Sequence, residues 1–311
     1  MTIYEYLGLS KDNLKTIDVN RSYVSFRIKK RDGKRTRRID APVPMLKEIQ
    51  KKFLNKILYM YRPHNIAHGF IKYRSPRTNA EAHVGRKSIL QVDIQDFFPS
   101  IDEKRVYTTL LYLFNRKREF DMPTSEDIAL FAHLLCLNGV LPQGSPASPA
   151  LTNLMCYEVD RLLHVYEKKY NCTITRYADD ITASFDNLDS KVIEQLLNGI
   201  KHALLKNGFQ VNNKKIKRSF YYNRQQITGV VVNTKLNTPK TSWRNLRAAL
   251  HQASFGEVTE KRQQQLRGQI EWLKSLNPQR GNQFLEKFGQ ISVQKPLTSL
   301  PTSEQTPSNS H

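Results

Sequence analysis

Two adjacent carboxylates, Asp179 and Asp180, lie between two segments that the sequence predicts to be strands. Residues 173–176 and 181–185 carry β-branched or aromatic side chains at alternate positions. A strand–Asp-Asp–strand hairpin places two negative charges at an exposed tip, where they repel each other unless a cation lies between them. Mg²⁺ suits such a site because it prefers oxygen ligands and binds substrate phosphates. Taken alone, the pattern is also that of an acidic surface turn.

A third carboxylate supports the metal interpretation. The apolar segment 88–92 predicts a strand that ends at Asp93 and leads into a turn. Asp93, Asp179 and Asp180 together predict a site for two Mg²⁺ ions, one activating a hydroxyl and the other neutralising a leaving pyrophosphate. The alternative for Asp93 is a simple strand-end residue. Asp96 is interpreted as a turn or cap residue rather than as a ligand.

The net charge indicates the kind of partner. The 311 residues include 49 basic and 28 acidic side chains, which gives +21 at pH 7. Such an excess favours a polyanion, and nucleic acid fits best, although ribosome or membrane-surface binding would give the same sign. Dense basic stretches at 29–38, 214–218 and 261–267 favour a long basic channel over a short basic tail.

Cysteine usage and hydropathy indicate the compartment. The three cysteines are far apart and lack zinc-ligand spacing, so they are interpreted as free buried thiols in a reducing cytosol. The N-terminus lacks a basic-then-apolar signal pattern, and no apolar run approaches the roughly 20 residues of a membrane span. We therefore expect a soluble cytoplasmic protein without a membrane partner.

The remaining pattern predicts a mixed α and β chain. Strands are predicted at 23–28 and 37–41 around a hairpin turn at 31–34, and at 209–211 and 227–232. A proline-rich loop spans 141–149. Helices are predicted at 44–61, 103–116, 125–137, 148–169 and 190–207, and again from about 239 onward.

Three motifs in order resemble those of reverse transcriptases. They are Asp-x-x-Asp-Phe-Phe at 93–98, Leu-Pro-Gln-Gly at 141–144 and Tyr-Ala-Asp-Asp at 177–180. The stretch Asn-Ala-Glu-Ala-His at 79–83 resembles the Asn-Ala-x-x-His element of retron reverse transcriptases. Ile-Thr-Gly at 227–229 resembles their Val-Thr-Gly element, with Ile in place of Val. The resemblance covers residues 20–290 approximately.

The resemblance implies an α+β, right-hand polymerase fold with fingers, a palm built on an antiparallel sheet, and a helical thumb. It also implies an RNA-directed DNA polymerase that primes from a 2′-hydroxyl of a cognate structured noncoding RNA, uses deoxynucleotides, and makes a branched RNA–DNA hybrid, msDNA. Retron systems pair that product with an effector protein in anti-phage defence. The domains expected are a helical lead at 1–20, fingers at 21–87, a palm at 88–236 with fingers-associated helices at 103–140, a thumb at 237–290 and a disordered tail at 291–311.

The resemblance carries nucleotide-binding roles onto particular residues. Phe98 matches the aromatic under the sugar that excludes a 2′-hydroxyl; core packing is its alternative. Gln143 and Gly144 match the loop that touches nucleotide and template, with a plain turn as alternative. Arg37 and Arg31 match fingers positions that bind triphosphate, for which the planar guanidinium is suited, or they form a solvated basic face.

Further basic and polar residues carry weaker assignments. Lys215 follows a palm helix, where a lysine can protonate pyrophosphate, and Lys214 beside it is assigned to RNA. Arg267, on a predicted basic thumb helix, is assigned to an RNA stem. Asn79 and His83 would contact retron RNA or brace the palm, and the sequence leaves both roles open.

Two other hypotheses remain at this stage. One keeps the chemistry but places the protein in a diversity-generating or abortive-infection system. The other is a catalytically silent RNA-binding scaffold, which three intact aspartates disfavour because unused paired carboxylates bring only repulsion.

Overall fold

A computed structural model describes residues 1–29, 33, 36–116 and 119–291. The predicted turn at 31–34, including Arg31, lies outside the described residues apart from Gly33. The predicted disordered tail also lies outside them, except for Ile291. The chain divides into two compact units, at 1–236 and from 237 onward.

The strands of the first unit form a two-stranded ribbon, a four-stranded sheet and a small hairpin. The ribbon pairs β1 with β2, the sheet has the order β4-β5-β3-β6 with every pair antiparallel, and the hairpin pairs β7 with β8. The bounds are β1 Tyr23–Lys29, β2 Thr36–Pro42, β3 Ser88–Asp93, β4 Thr173–Tyr177, β5 Asp180–Phe185, β6 Lys217–Phe220, β7 Gln226–Ile227 and β8 Val230–Val231.

Helices pack around the four-stranded sheet. Those of the first unit are α1 Ile3–Leu7, α2 Lys11–Lys15, α3 Pro44–Lys56, α4 Pro76–Glu81, α5 Glu103–Phe114, α6 Ser125–Leu135, α7 Ser148–Met155, α8 Tyr157–Lys169 and α9 Ser190–Lys206. Short 3₁₀ turns lie at Leu58–Met60 and Asn213–Lys215. In α9, Asp189 accepts hydrogen bonds from the first-turn amides, which is the capping expected at this position.

The core of this unit is aromatic and aliphatic. Phe53 of α3 meets Phe131 of α6 at 5.1 Å and Phe114 of α5 at 6.4 Å between ring centroids. The central strand β3 is almost completely buried, as a strand between two neighbours and under helices must be. This burial fixes the position of Asp93, the last residue of β3.

The second unit consists of three helices among its described residues. They are α10 Lys240–Ala253, α11 Glu260–Leu276 and α12 Pro278–Phe288, and Leu250, Ile270 and Phe284 belong to its own apolar core. Gly281 allows α12 to approach α11, because a Cβ there would lie 2.3 Å from the Lys274 backbone.

Three sequence predictions were wrong in detail. The helix predicted at 148–169 is two helices, α7 and α8, that meet at Cys156. Residues 209–211 form only a single bridge, between Val211 and Ile94, and not a strand. The strand predicted at 227–232 is a hairpin, because Thr228 and Gly229 adopt left-handed conformations and turn the chain. Strand β6 was not predicted, since it has only four residues and two of them, Lys217 and Arg218, are charged and exposed.

Among the residues that the structure describes, none of the helices combines the length and the apolar character that a membrane crossing requires.

Candidate active site

The ends of two neighbouring strands bring the three candidate carboxylates together. Asp93, the last residue of β3, is the cross-strand partner of Asp180, the first residue of β5. The Ile94 amide donates to the Asp179 carbonyl at 2.9 Å, which ties the turn between β4 and β5 to the end of β3. Directly paired residues in an antiparallel sheet place their side chains next to each other. All three carboxylates therefore lie at one edge of the sheet.

This clustering changes the proton affinity of the carboxyl groups. Burial, then the negative charge of Asp93, raises the pKa of Asp179, and the positive charges of Lys215 and Arg37 oppose that rise. The pKa of Asp180 is raised to about 7, first by desolvation of its carboxylate and then by the negative charges of Asp179 and Asp93. Asp180 keeps a solvent-accessible surface, so the site is open at this point. A cation bound between these groups would relieve their repulsion.

Lys215 is part of this site. Its ammonium donates to both carboxylate oxygens of Asp93, at 2.7 and 2.8 Å. The 3₁₀ turn that carries Lys215 is fixed to β3, because the Asn212 amide donates to the Asp93 carbonyl at 2.8 Å. Lys214, the preceding residue, is exposed beside it.

The donor chemistry fits a hard divalent cation. Within the described ranges, no group of three or more His, Cys, Asp or Glu side chains is arranged as a ready-made metal cage. In this arrangement the Lys215 ammonium contacts both carboxylate oxygens of Asp93. Three carboxylates that share one edge are nevertheless the oxygen donors that Mg²⁺ prefers. Asp93, Asp179 and Asp180 are therefore the residues that would hold the metal.

The Asp-Asp turn is buried at Ala178, whereas Asp180 beside it is exposed. Ala178 adopts a left-handed conformation, with φ of 57°, and is 7% exposed. Gly69 covers it so closely that a Cβ at position 69 would lie 2.5 Å from the Ala178 nitrogen. Only glycine fits at this approach.

A buried ion pair fixes the same turn from beneath. Arg176 and Asp160 are both fully buried, and the guanidinium donates to the two carboxylate oxygens at 2.7 Å each. Arg176 also donates to the Ala178 carbonyl at 3.1 Å and to the Asn153 side chain at 3.1 Å. Asn153 in turn donates to the Gly69 carbonyl at 2.9 Å. We call these four residues, Gly69, Asn153, Asp160 and Arg176, the turn brace.

The turn brace was missed by sequence reasoning, although one signal was present. Arg176 alternates with Ile174 in β4 and therefore points to the apolar face of a strand. A charged residue on a buried face requires a partner of opposite charge.

The aromatic candidate Phe98 lies on the turn after β3. Its ring is partly buried, 5.5 Å from the Phe97 centroid and 6.4 Å from that of Phe70. Asp96 begins this turn with a left-handed backbone, φ 44°, and its carbonyl accepts from the Ser100 amide. The structure thus leaves part of Phe98 accessible to solvent.

The Leu-Pro-Gln-Gly loop packs on the β1–β2 ribbon. The Asp40 amide donates to the Gln143 carbonyl at 2.8 Å, and a Cβ at Gly144 would lie 2.4 Å from the Asp40 carbonyl oxygen. Gly144 is therefore required for packing, a reason different from the substrate approach that the sequence suggested. Arg37 is exposed on β2, and its charge acts on the Asp179 carboxyl.

The Asn79–His83 element is internal. His83 is fully buried and shares hydrogen bonds with Ser184 at 2.7 Å and Thr175 at 2.8 Å, so it joins β5 to β4. Burial, then the charges of His68 and Arg86, lowers the His83 pKa to about 3. Asn79 is also buried, and its Oδ1 has no hydrogen-bond partner within the described part of the chain. This geometry favours the bracing role for His83 over direct RNA contact.

The two retron-like elements pack against each other. The Thr228 hydroxyl donates to the Pro76 carbonyl at 3.0 Å, and the Gly85 amide donates to the Val232 carbonyl at 3.0 Å. Arg267 belongs to the other unit, where it is exposed on α11.

Comparison with known proteins gives the class and then the family. The fold is similar to a telomerase from Candida albicans solved in complex with a fragment of telomeric RNA, with a TM-score of 0.52 at 12% identity over 86% of this chain and 56% of that chain. This similarity shows a polymerase fold and nothing more. A family model described as reverse transcriptase (RNA-dependent DNA polymerase) matches residues 28–246.

Curated relatives narrow the family. The chain is 31% identical to the retron Mx162 reverse transcriptase of Myxococcus xanthus over 92% of its own length, and 33% identical to the Mx65 enzyme of the same organism over 86%. It spans 65% and 64% of those two proteins. It is also 30% identical to the retron Ec73 reverse transcriptase of Escherichia coli, over 80% of this chain and 81% of that protein. The chain belongs to the reverse transcriptase family and is of the retron type.

Proposed function

We propose that this protein is an RNA-directed DNA polymerase that copies a cognate structured noncoding RNA into DNA. One observation carries the proposal: Asp93, Asp179 and Asp180 share one edge of the sheet in a chain of this family. Synthesis starts from a 2′-hydroxyl of that RNA and yields a branched RNA–DNA product, msDNA. The reaction takes place in the cytoplasm.

The carboxylates Asp93, Asp179 and Asp180 hold two Mg²⁺ ions in this proposal. When bound there, the ions would lower the pKa of the priming hydroxyl and offset the charge of the leaving pyrophosphate. Lys215 is the residue that would donate a proton to the leaving pyrophosphate. Its contact with both Asp93 oxygens supports this role, because it already lies within hydrogen-bond reach of the site.

Other residues select and orient the deoxynucleotide. The accessible part of the Phe98 ring lies under the sugar and leaves no room for a 2′-hydroxyl. Arg37, together with Arg31, binds the triphosphate as a planar fork. Gln143 and Gly144 position nucleotide and template from the loop on β2, to which they are already joined.

The RNA partner is recognised in two ways. The charge of +21 attracts the phosphate backbone, and Lys214 and Arg267 are exposed cations that contribute to it. Specific recognition involves the solvent-accessible residues around the contact between the Asn79–His83 element and the Ile227–Val230 hairpin, which the buried His83 braces from within. The msDNA acts with an effector protein in anti-phage defence, as the retron type implies.

The proposal is tested by isolating the nucleic acid that the protein carries. The protein is expressed with its native flanking DNA, purified in high salt, and its nucleic acid is treated with RNase and then with a debranching enzyme. We expect a discrete single-stranded DNA whose mobility shifts on debranching. The matched control, Asp179→Asn, should carry the RNA without attached DNA. A heterogeneous mixture of cellular RNA with no DNA in the wild-type sample would contradict the proposal.

A further inference from the structure

Two exposed aromatic side chains lie on the segment 69–74, which begins where Gly69 packs on Ala178 of the turn between β4 and β5, here called the catalytic turn. Phe70 is 44% exposed and Tyr73 is 87% exposed, although both rings are large enough to contribute strongly to a core. Both residues adopt left-handed backbone conformations, with φ of 62° and 65°. Aromatic residues rarely adopt this conformation, and such strain concentrates at functional sites.

The segment is held rigidly in this conformation. The Arg74 guanidinium donates to the Asn65 carbonyl at 2.6 Å and also to the Ala67 carbonyl. The Arg74 amide donates to the Ile71 carbonyl at 3.1 Å, which closes the turn. At its start the segment is fixed by the turn brace, through the bond from Asn153 to Gly69. The strained backbone that carries the two rings is therefore held by surrounding hydrogen bonds.

The location of the segment relates it to catalysis. Gly69 packs on the Ala178 backbone, and Phe70 is the next residue in the chain after this contact. The Phe70 and Phe98 rings are neighbours, at 6.4 Å. Further along, the Lys72 ammonium lies 4.9 Å from the Tyr73 ring centroid, so a cation accompanies the more exposed ring.

The charge around the segment selects the ligand. Residues 62–80 contain the four cations Arg62, Lys72, Arg74 and Arg77 and no acidic residue. Exposed aromatic rings among cations are the features by which proteins bind single-stranded nucleic acid, because every base has a face that stacks and every nucleotide has a phosphate. An apolar protein partner would not require this charge.

We propose that Phe70 and Tyr73 form a stacking site for unpaired nucleobases of the RNA strand that enters the active site. The site rests on the proposed function, since it names how that function holds its template. Phe70 stacks a base next to Phe98 and the catalytic turn, and Tyr73 stacks a base further out, with Lys72 on the adjoining phosphate.

The test measures binding of a short, unstructured, labelled RNA by fluorescence anisotropy to the full-length protein freed of nucleic acid. Phe70→Gly and Tyr73→Gly remove the rings and also suit the left-handed backbone, so melting temperatures should be maintained or raised. Loss of one stacked base should weaken binding about tenfold. The slope of log affinity against log salt should stay unchanged, because no phosphate contact is removed.

The control is Tyr112→Ala. Tyr112 is 52% exposed on α5, between Phe70 and Tyr73 in exposure, and Arg116 lies over its ring as Lys72 lies over that of Tyr73. The Tyr112→Ala variant should bind RNA with the same affinity as the wild type. Equal affinity in Phe70→Gly and Tyr73→Gly would overturn the stacking site, as would a loss that is accompanied by a smaller salt slope.

A parallel primer-extension assay separates this inference from the proposed function. If the wild-type protein extends the primer and Phe70→Gly has an increased KM for template–primer, both the polymerase function and the stacking site are supported. Wild-type extension with unchanged KM and unchanged RNA affinity in the variants overturns the stacking site and leaves the polymerase intact. Absence of extension by the wild type, with RNA binding that still depends on Phe70 and Tyr73, overturns the polymerase and leaves the stacking site.

Discussion

The catalytic turn and the β1–β2 ribbon both carry candidate substrate-binding residues, and they are built in opposite ways. The turn between β4 and β5 is buried at Ala178 and fixed by the fully buried Arg176–Asp160 pair. The ribbon is exposed along nearly the whole of β1, including the apolar side chains of Val24, Phe26 and Ile28. Arg37 on β2 shares this exposure.

The difference follows from what each region has to do. Metal ligands must be held in place before the substrate arrives, because catalysis by fixed charges depends on their not having to reorganise. Buried hydrogen bonds therefore fix the geometry of the turn. Under the proposed function, Arg37 gains its triphosphate partner only when the nucleotide binds, which is consistent with its exposed position on the ribbon.

The largest expected effect is on the turn brace. Arg176→Met should lower the free energy of unfolding by about 3–5 kcal/mol, because it leaves the Asp160 carboxylate buried without its counter-charge. The measurement is urea denaturation followed by circular dichroism. Arg218→Met is the control: Arg218 pairs with Glu194 at the surface, and loss of that pair should cost about 1 kcal/mol or less. Similar losses in both variants would mean that the turn is no more tightly fixed than the surface.

The next effect is on chemistry without loss of structure. Asp179→Asn should lower the rate of primer extension by about 10²–10³ or more, since it removes negative charge that holds the metal at the transition state. Unfolding should stay cooperative, and RNA binding should persist. Asp96→Asn is the control, because Asp96 is an exposed turn residue with left-handed backbone, a conformation that Asn also tolerates. Near-normal extension by folded Asp179→Asn protein would remove the two-metal assignment.

A smaller effect is expected on the ribbon. Arg37→Ala should raise the KM for deoxynucleotide about tenfold or more, the value of a lost charge-assisted hydrogen bond, and leave stability unchanged. Arg37→Lys should recover only part of this, since a lysine cannot bind phosphate as a fork. Arg27→Ala is the control: Arg27 lies on the other face of the ribbon, where it donates to Thr36. An equal rise in KM for Arg27→Ala would make the ribbon a general cationic surface.

The same contrast determines what the sequence could predict. The three aspartates were found because each lies in a short motif whose chemistry is local. The contact of Lys215 with Asp93 joins residues far apart in the chain, so only the fold shows it. The turn brace was missed for the same reason, since Asp160 and Asn153 lie on helices whose packing cannot be predicted from a local sequence pattern.

Local conformation limited the remaining predictions. The segment 227–232 has the residue types of one strand, but Thr228 and Gly229 turn it into a hairpin against α4. His83 has the polarity of a surface residue, yet two hydroxyl groups on β4 and β5 satisfy its ring inside the sheet region. The close approach of Gly144 to the Asp40 carbonyl joins two distant segments, so the sequence did not predict it.

The smallest expected effect concerns how the buried His83 makes the free energy of unfolding depend on pH. His83 has a folded-state pKa of about 3, whereas an unfolded chain keeps its histidines near 6.5. Between these values the unfolded state binds a proton that the folded state does not, so stability falls as the pH falls below 6.5. From pH 7.5 to 5.5 this linkage amounts to about 1.4 kcal/mol.

The comparison that isolates this group is His83→Gln, measured by urea denaturation at both pH values. Glutamine has no proton to gain, so the variant should lose about 1.4 kcal/mol less than the wild type over this range. His68, whose pKa burial lowers to about 4, titrates in both proteins and cancels in the difference. Equal losses in the two proteins would show that His83 accepts a proton in the folded state. The ring would then be accessible, and the RNA-contact role that its burial disfavours would regain support.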